Sequence, residues 1–500
     1  MTPLVYLLYS IHTLMIQQAP AGTQLQVRLT STVGSFSSRV GTPISAVLIA
    51  PVVLDGRTIL PPGIKFSGKI KNVARVGYGV RHETASLRLE FDHLILPDDG
   101  NLPMASRVVE VDNGREKVSS SGLIQGIRST GSIVYRVSGY VRTALLWDVH
   151  AEMAEWAIKS LLVQLPEPEI YYPAGTELTL RLTKPLTLVS PDEPDSAGES
   201  LTDGELAGLR ALVASLPIRT QDPDNKRPSD LTNVLLIGSR EEISTAFRAA
   251  GWSEAGPDSI RERIRVIRAA AEIHGFRGAP MTTLLLNGTG ADMSWQKGLN
   301  DVSKRHHIRI WKQPGLWNGQ ELWMAAATRD VDFAYLRPGR YFTHEIDPRV
   351  DQERDKVAYD LAFTWCARPL VWAARQGMPR FTRNGTGDPI GTDTRMVVLQ
   401  FNDCASPRLS TDTEDAEPLV ARGSKLQRFA RREVLVTRSD FLRTNIYYRS
   451  FEVSRWAYEY VRYRRRKSSE MRSLQATYGP AGSSPPPPPH TSVLAIHALR

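Results

Sequence analysis

The sequence predicts a multidomain α+β protein, with a β-rich barrel or sandwich first and an α/β domain after it. Three observations carry this. Five hundred residues exceed one ordinary domain. The first third repeats strand-length runs of alternating apolar and polar residues, and the middle of the chain mixes such runs with amphipathic helical patterns. Hydrophobic residues at 41% and charged residues at 23% match a globular chain, which excludes wholesale disorder and a polytopic membrane protein.

Taken in order, Leu4 to Ile16 (LVYLLYSIHTLMI) is an apolar run of signal-peptide length, and Ala19-Pro20-Ala21 offers the small residues of a cleavage site. Residues 1–21 therefore read as an export signal, although no Lys or Arg precedes the run. The alternative is a buried first strand or helix. Residues 22–190 form the β-rich unit. Its strands are LQVRLTSTV, PISAVLIAPVVL, LPPGIKFSGKIKNV and ASLRLEFDHLIL, the last ending in the turn residues Pro97-Asp98-Asp99-Gly100. A helical insertion, WDVHAEMAEWAIKSLL, precedes YYPAGTELTLRLTKPLTL, which is expected to rejoin the first sheet.

Residues 191–225 read as a polar linker holding one short helix, Glu205 to Ser215. The second domain spans 226–410. NVLLIG, TTLLLNGTG, HHIRIWK, ELWMAAATRD and MVVLQFNDC are strands, and EEISTAFRAAG is an amphipathic helix ended by Gly251. Asp347-Pro348 opens another helix, with Asp as N-cap. Residues 411–472 are a basic aromatic segment whose helix is capped by Asp440, and 473–500, with the run Pro485 to Pro489, read as a disordered tail. No stretch reaches about 18 uncharged apolar residues, so no membrane-spanning helix is expected.

Charge is localised. Of 62 basic and 53 acidic residues, Arg422 to Arg472 holds 15 and 5, leaving 47 against 48 elsewhere. The net charge of +9 therefore belongs to one segment, which argues against nucleic acid as the main ligand. In that segment Tyr447, Phe451, Trp456, Tyr460 and Tyr463 share a broad aromatic side, with Arg449, Arg455, Arg462 and Arg464 to Lys467 available to anionic lipid. The alternative is a helix packed on the preceding domain. Two cysteines, Cys366 and Cys404, exclude a disulfide-rich scaffold. Ordinary buried thiols are expected, with a single bridge as the alternative in an oxidising compartment.

Familiar catalytic signatures are absent, and NGTGAD (Asn287 to Asp292) reads as a turn. The dense polar region is Arg305 to Asp355. His306 and His307 are adjacent on a strand and must point to opposite faces, so one packs in the core while the other shares a polar surface with Arg309. Asp330 and Asp332 end the next strand. His344, Asp347 and Asp351 offer hard ligands for a divalent metal, with His306, His307, Asp330, Glu353 and Arg354 as catalytic candidates beside them. The structural alternative assigns Asp347 to the cap, Asp351 to the helix dipole and Arg354 to pairing with either.

The second domain resembles the C-terminal domain of the LssY family. The resemblance rests on PSDLTNVLLIGS with AFRAAGW (Pro228 to Trp252), APMTTLLL, RHHIRIW, ELWMAAATRD, FTHEIDPRVDQERDKV and NGTGDPIGTD. The family's glycine after TD is Thr394 here. The resemblance implies an envelope context, because the domain occurs beside integral-membrane modules; it implies no activity. The N-terminal unit is similar, through its LPPG-x-x-x-x-G pattern, to β-domains of secretion-channel proteins. The expected function is an exported, periplasmic or membrane-associated accessory or binding protein engaging a membrane surface or envelope protein. The alternative is a metal-dependent hydrolase of a phosphate-bearing lipid or glycan, with Arg354 holding phosphate.

Overall fold

The computed structural model describes residues 14–54, 57–79, 82–96, 100–131, 166–191, 201–224, 226–335, 342–404 and 425–479. In the N-terminal unit, β1 (Gln24–Leu29), β2 (Pro43–Leu48), β3 (Lys65–Ala74), β4 (Ser86–Ile95), β5 (Ser106–Val111) and β6 (Glu177–Leu182) form one antiparallel sheet. Its order is β5-β6-β1-β2-β3-β4. The ends curl together: the Met104 N–H donates to the Asp92 carbonyl at 2.9 Å, and the Ser106 hydroxyl donates to the Phe91 carbonyl at 3.0 Å. The result is a nearly closed barrel. Strand alternation fills it, with Leu25, Val27, Leu29, Phe66, Leu87, Leu89 and Phe91 buried in one cluster.

Both glycines of the LPPG-x-x-x-x-G pattern have a physical reason. Gly63 turns with φ at +99°, a conformation that side chains disfavour. Gly68 lies where a Cβ would stand 2.1 Å from the Glu90 carbonyl oxygen of β4. A strand, Leu14–Ala19, lies within residues 1–21, read above as an export signal. It pairs antiparallel with Leu186–Pro191, Ala19 opposite Leu186. The helical insertion expected at 147–162 lies outside the described residues, as do residues 480–500.

The second domain is an eight-stranded sheet. Its named strands are β7 (Val234–Ile237), β8 (Met293–Gly298), β9 (Arg305–Trp317), β10 (Gln320–Tyr335), β11 (Phe342–Ile346), β12 (Ala367–Ala374) and β13 (Arg395–Phe401). They run β8-β9-β10-β7-β13-β12, with β11 on the far end of β10. Only the central β7–β13 pair among these is parallel. Three helices cover the sheet, α1 (Asp203–Ser215), α2 (Arg240–Ala249) and α4 (Val350–Phe363), while α3 (Ile260–Glu272) contributes nothing to the core clusters. Val234 and Leu236 face α2 and α4, while Leu235 and Ile237 face α1. That is why NVLLIG is apolar without a break: it is buried on both sides. Helix α1, expected within the linker, seals the second face through Leu209 and Val213.

Capping boxes start two helices, Thr202 with Glu205 and Ser239 with Glu242. Asp347 is not the N-cap expected of it. Its carboxylate accepts from the Arg349 N–H at 2.9 Å, and α4 starts later, at Val350. Asn287 and Gly288, both at positive φ, make the NGTGAD turn.

The C-terminal segment is two helices, α5 (Lys425–Thr444) and α6 (Ile446–Tyr478). Asp440 lies inside α5 rather than at a helix start. The break falls at Asn445, whose side chain accepts from the Tyr447 and Tyr448 N–H groups. The start of the expected disordered tail, to Tyr478, is helical instead. Helix α6 lies along both domains: Tyr448 reaches Glu83, Glu452 pairs with Arg128, and Lys467 pairs with Glu345. Trp456, Tyr460 and Tyr463 are half-buried, whereas Tyr447 and Phe451 point outward, so the aromatic side is split between packing and solvent. No helix among the described residues is long and apolar enough to cross a membrane.

Cys366 and Cys404 form a disulfide, contrary to the expectation of free thiols. Cys366 follows α4 and Cys404 follows β13, and the strand–helix packing brings their Cα atoms to 4.9 Å. The bridge closes a separation of 38 residues. We predict that Cys404→Ser lowers unfolding stability by about 2–4 kcal/mol, through loop entropy restored to the unfolded chain. Urea denaturation checks this; an unchanged midpoint would contradict it.

Candidate functional site

Helix α4 is the hub on which the charged side chains converge. Its residues Val357, Ala358 and Leu361 pack on the sheet, while Glu353, Lys356 and Asp360, at i, i+3 and i+7, share another face. That face meets the outside of the N-terminal barrel. Arg28 of β1 and Glu177 of β6 stand on adjacent strands, directly opposite each other, pointing away from the barrel core.

Five charges meet there, all nearly without solvent. The Arg28 guanidinium donates to Glu177 Oε1 at 2.7 Å and lies 3.4 Å from Asp360 Oδ1. Lys297 Nζ donates to Glu177 at 2.7 Å, to Asp360 at 3.1 Å and to the Ala250 carbonyl at 2.8 Å. Lys356 Nζ lies 2.7 Å from Glu177 and 2.6 Å from Asp360. The Trp252 indole N–H adds a donor to Asp360 at 3.0 Å. Burial alone would raise the pKa of Glu177; Lys297, Lys356 and Arg28 reverse this and hold it well below the usual carboxylate range. Burial opposes the charge on Lys356 as well, and Asp360 and Glu177 keep it protonated. Ions taken this far out of water must be mutually neutralised, so the two domains are held in register by charge geometry.

His306 extends the network. Its Nδ1 lies 2.6 Å from Glu353 and its Nε2 2.7 Å from Asp112, which follows β5 of the barrel unit. Burial would lower its pKa, but the two carboxylates raise it to about 9, so at neutral pH the ring is a cation bridging the domains. Arg329 closes the group, 3.0 Å from Asp112 and 2.7 Å from Glu110. A cavity of about 260 Å³ opens at this junction, lined by Asp112, His306, Arg329, Arg349, Glu353 and Tyr359 among others.

His307 points the other way, as alternation requires, into a second buried cluster. Its Nε2 lies 2.8 Å from Asp330 Oδ1, and Arg305 Nε donates to Asp330 Oδ2 at 2.9 Å. Arg309 Nη1 lies 3.4 Å from His307 Nδ1. Burial would raise the pKa of Asp330; His307, His344 and Arg305 hold it far below the ordinary range. The Thr328 hydroxyl is 3.2 Å from the same Nε2 that serves Asp330. It is also 3.3 Å from Nδ1, and Thr328 is fully buried. Both paired histidines are therefore buried, rather than one in the core and one on a polar surface.

The remaining candidates are dispersed. His344 Nδ1 lies 3.5 Å from Asp330 Oδ2, and burial lowers its pKa to about 4. Asp351 accepts from the Thr392 hydroxyl at 2.8 Å and from the Asp393 N–H at 2.6 Å. Arg354 is spent on Asp393 at 2.7 Å and Asp355 at 2.9 Å, which leaves no open fork for a phosphate. Asp347 accepts from the Arg349 N–H and lines the junction cavity with His306 and Glu353. His344, Asp347 and Asp351 thus serve three separate structures, and no three His, Cys, Asp or Glu side chains among the described residues are grouped to hold a metal ion. The turn fastened by Asp351 contains Thr394 at φ +68°, a left-handed conformation that explains a glycine at this place and makes threonine a strained occupant.

Arg28, Asp112, Glu177, Lys297, Arg329, Lys356 and Asp360 escaped the sequence reading. In LQVRLTSTV and TELTLRL, Arg28 and Glu177 occupy the polar phase of alternating strands, which reads as solvent-facing. The signal that could have found them is complementarity: a charged phase on two barrel strands matched to a charged helix face.

Residues 213–396 match the family model described as LssY C-terminus. No curated protein matches the chain. Among solved structures, ComB10 of the Com type IV secretion system of Helicobacter pylori aligns at 11% identity, over 35% of this chain and 93% of that one, with a TM-score of 0.20.

Two predictions follow from the charges. Glu177→Ala leaves Lys297 and Lys356 buried with one carboxylate, so it should cost about 3–5 kcal/mol in chemical denaturation; a cost under about 1 kcal/mol, the range of a surface pair, would contradict the geometry. The raised pKa of His306 stabilises the fold fully below its unfolded value near 6.5, and this contribution is lost as pH rises through about 9. Stability of His306→Gln should therefore vary less than wild type over that interval, measured by urea unfolding at successive pH values; parallel curves would exclude the assigned role.

Proposed function

We propose that this chain, which carries an LssY C-terminal domain over residues 213–396, is a non-enzymatic accessory or binding protein of an oxidising envelope compartment, engaging a membrane surface or an envelope protein. The observation that carries the reading is the fate of the polar residues. His306, His307, Asp330, Glu353 and Arg354 are all buried in ion pairs that fasten one element to another. His307, Asp330 and Arg354, committed in this way, serve shape, while Glu353 keeps one carboxylate oxygen without a hydrogen-bond partner beside the cavity. A general base needs an open lone pair beside a substrate, and a phosphate clamp needs open donors.

The Cys366–Cys404 bridge supports the compartment, since such bridges persist where thiols are not kept reduced. A binding role also fits the architecture, in which ion pairs and hydrogen bonds tie the barrel, the α/β domain and α6 together. The test is the thiol state in cells: alkylation after acid trapping, followed by fractionation. We expect both cysteines oxidised and the protein in the envelope fraction. Reduced thiols in a cytosolic protein would overturn the reading.

A further inference from the structure

Helix α3 presents an arrangement that packing among the described residues does not use. Ile260, Ile264 and Ile267 are 79%, 60% and 69% exposed, although isoleucine is among the residues most often buried. They are spaced i, i+4 and i+7, which at about 100° per residue gathers them within about 60° of the helix circumference. The helix is anchored from its other side, where Ala269 and Glu272 are buried, so the isoleucine stripe is aimed away from the body. Ser259 caps its start, accepting from the Glu262 N–H, and Ile273 ends it at φ +50°.

Arginines flank the stripe. By the same geometry, Arg261 and Arg268 lie along one edge and Arg263 along the other, each about 40–60° from the nearest isoleucine. Arg263 pairs with Asp258, Arg265 with Glu262 and Arg268 with Glu272, and each of the three arginine side chains is roughly half exposed or more. The Arg263–Asp258 pair is exposed on both sides, and a surface pair of this kind is weak and exchanges readily for another anion. An apolar stripe edged by long cationic side chains is suited to an interface whose surface is anionic and whose interior is apolar. Isoleucines enter the acyl boundary while guanidinium groups stay at the level of the phosphates.

We propose that α3 is a membrane-docking helix, which lies in the plane of an anionic lipid surface and seats the Ile260–Ile264–Ile267 stripe in it. This rests on the envelope reading above and names the surface involved. Charge complementarity selects lipid over a second copy of the chain: a copy would set Arg261, Arg263 and Arg268 against the same arginines, whereas an anionic bilayer pairs with them.

The test is sedimentation of the full chain with phosphatidylcholine vesicles, with and without phosphatidylglycerol, at low and high salt. Wild type should bind the phosphatidylglycerol vesicles and weaken as salt screens the arginines. The double variant Ile264→Asp/Ile267→Asp, both at exposed positions, should keep its unfolding midpoint and lose at least about tenfold in binding. Arg261→Gln should weaken binding while leaving the stripe intact. Tyr447→Ser/Phe451→Ser on the outward side of α6 should bind as wild type. Absence of binding by wild type overturns the proposal, as does undiminished binding by the isoleucine variant. A self-association that the isoleucine variant abolishes, seen by light scattering, also overturns it and makes the stripe a dimer contact. Loss confined to the α6 variant overturns the assignment to α3 and leaves an envelope binding protein standing. That broader reading fails separately, on the thiol state.

Discussion

The structure turns on the contact between Lys356 and Asp360 of α4 and Arg28 and Glu177 of the barrel. Three cations and two carboxylates, counting Lys297, share a space from which water is excluded. No one of these charges is tolerable alone at that depth, and each is tolerable only if the other domain supplies its partners. A purely apolar seam would hold two domains over a range of angles. A seam of interlocked ion pairs accepts very few, because moving any carboxylate by an ångström strands a buried ammonium.

This constraint orders the rest. The same helix that offers Lys356 and Asp360 to the barrel sends Asp351 and Arg354 to the Thr392–Arg395 turn and Glu353 to His306. The disulfide pins its C-terminal end to the strand it packs against. Helix α6 spans both domains from outside, with Tyr448 and Glu452 on the barrel side and Lys467 on β11. The polar stretch Arg305 to Asp355 supplies ion pairs within the α/β domain and, through His306 and Arg329, others to Asp112 of the barrel unit. Surface features such as the stripe on α3 then keep a fixed position relative to the whole molecule.

Much of the fold was legible because its signals are local. Alternation placed the barrel strands, NVLLIG marked a strand, and Gly251 marked the end of α2. What was not legible depended on distant chain. Arg28 looks solvent-facing until a second domain covers it. The Asp347-Pro348 pair has the composition of a helix start, but the Arg349 N–H captures the carboxylate and moves the start to Val350. The pairing of Cys366 with Cys404 requires knowing that α4 packs against β13. Adjacency correctly separated His306 from His307, yet nothing in RHHIRIW says that Asp112, far earlier in the chain, would take one of them. Helix α3 went unread because its arginines mask its isoleucine spacing.

The central claim is that charge geometry makes one cooperative body of the two domains. Native-state amide hydrogen exchange in subdenaturing guanidinium tests it most directly, by comparing β1 and β6 of the barrel with α4. The account predicts that the slowest amides of all three open with one common free energy and one denaturant dependence. Distinct opening energies, with the barrel strands exchanging while α4 stays protected, would show two independent domains and contradict it.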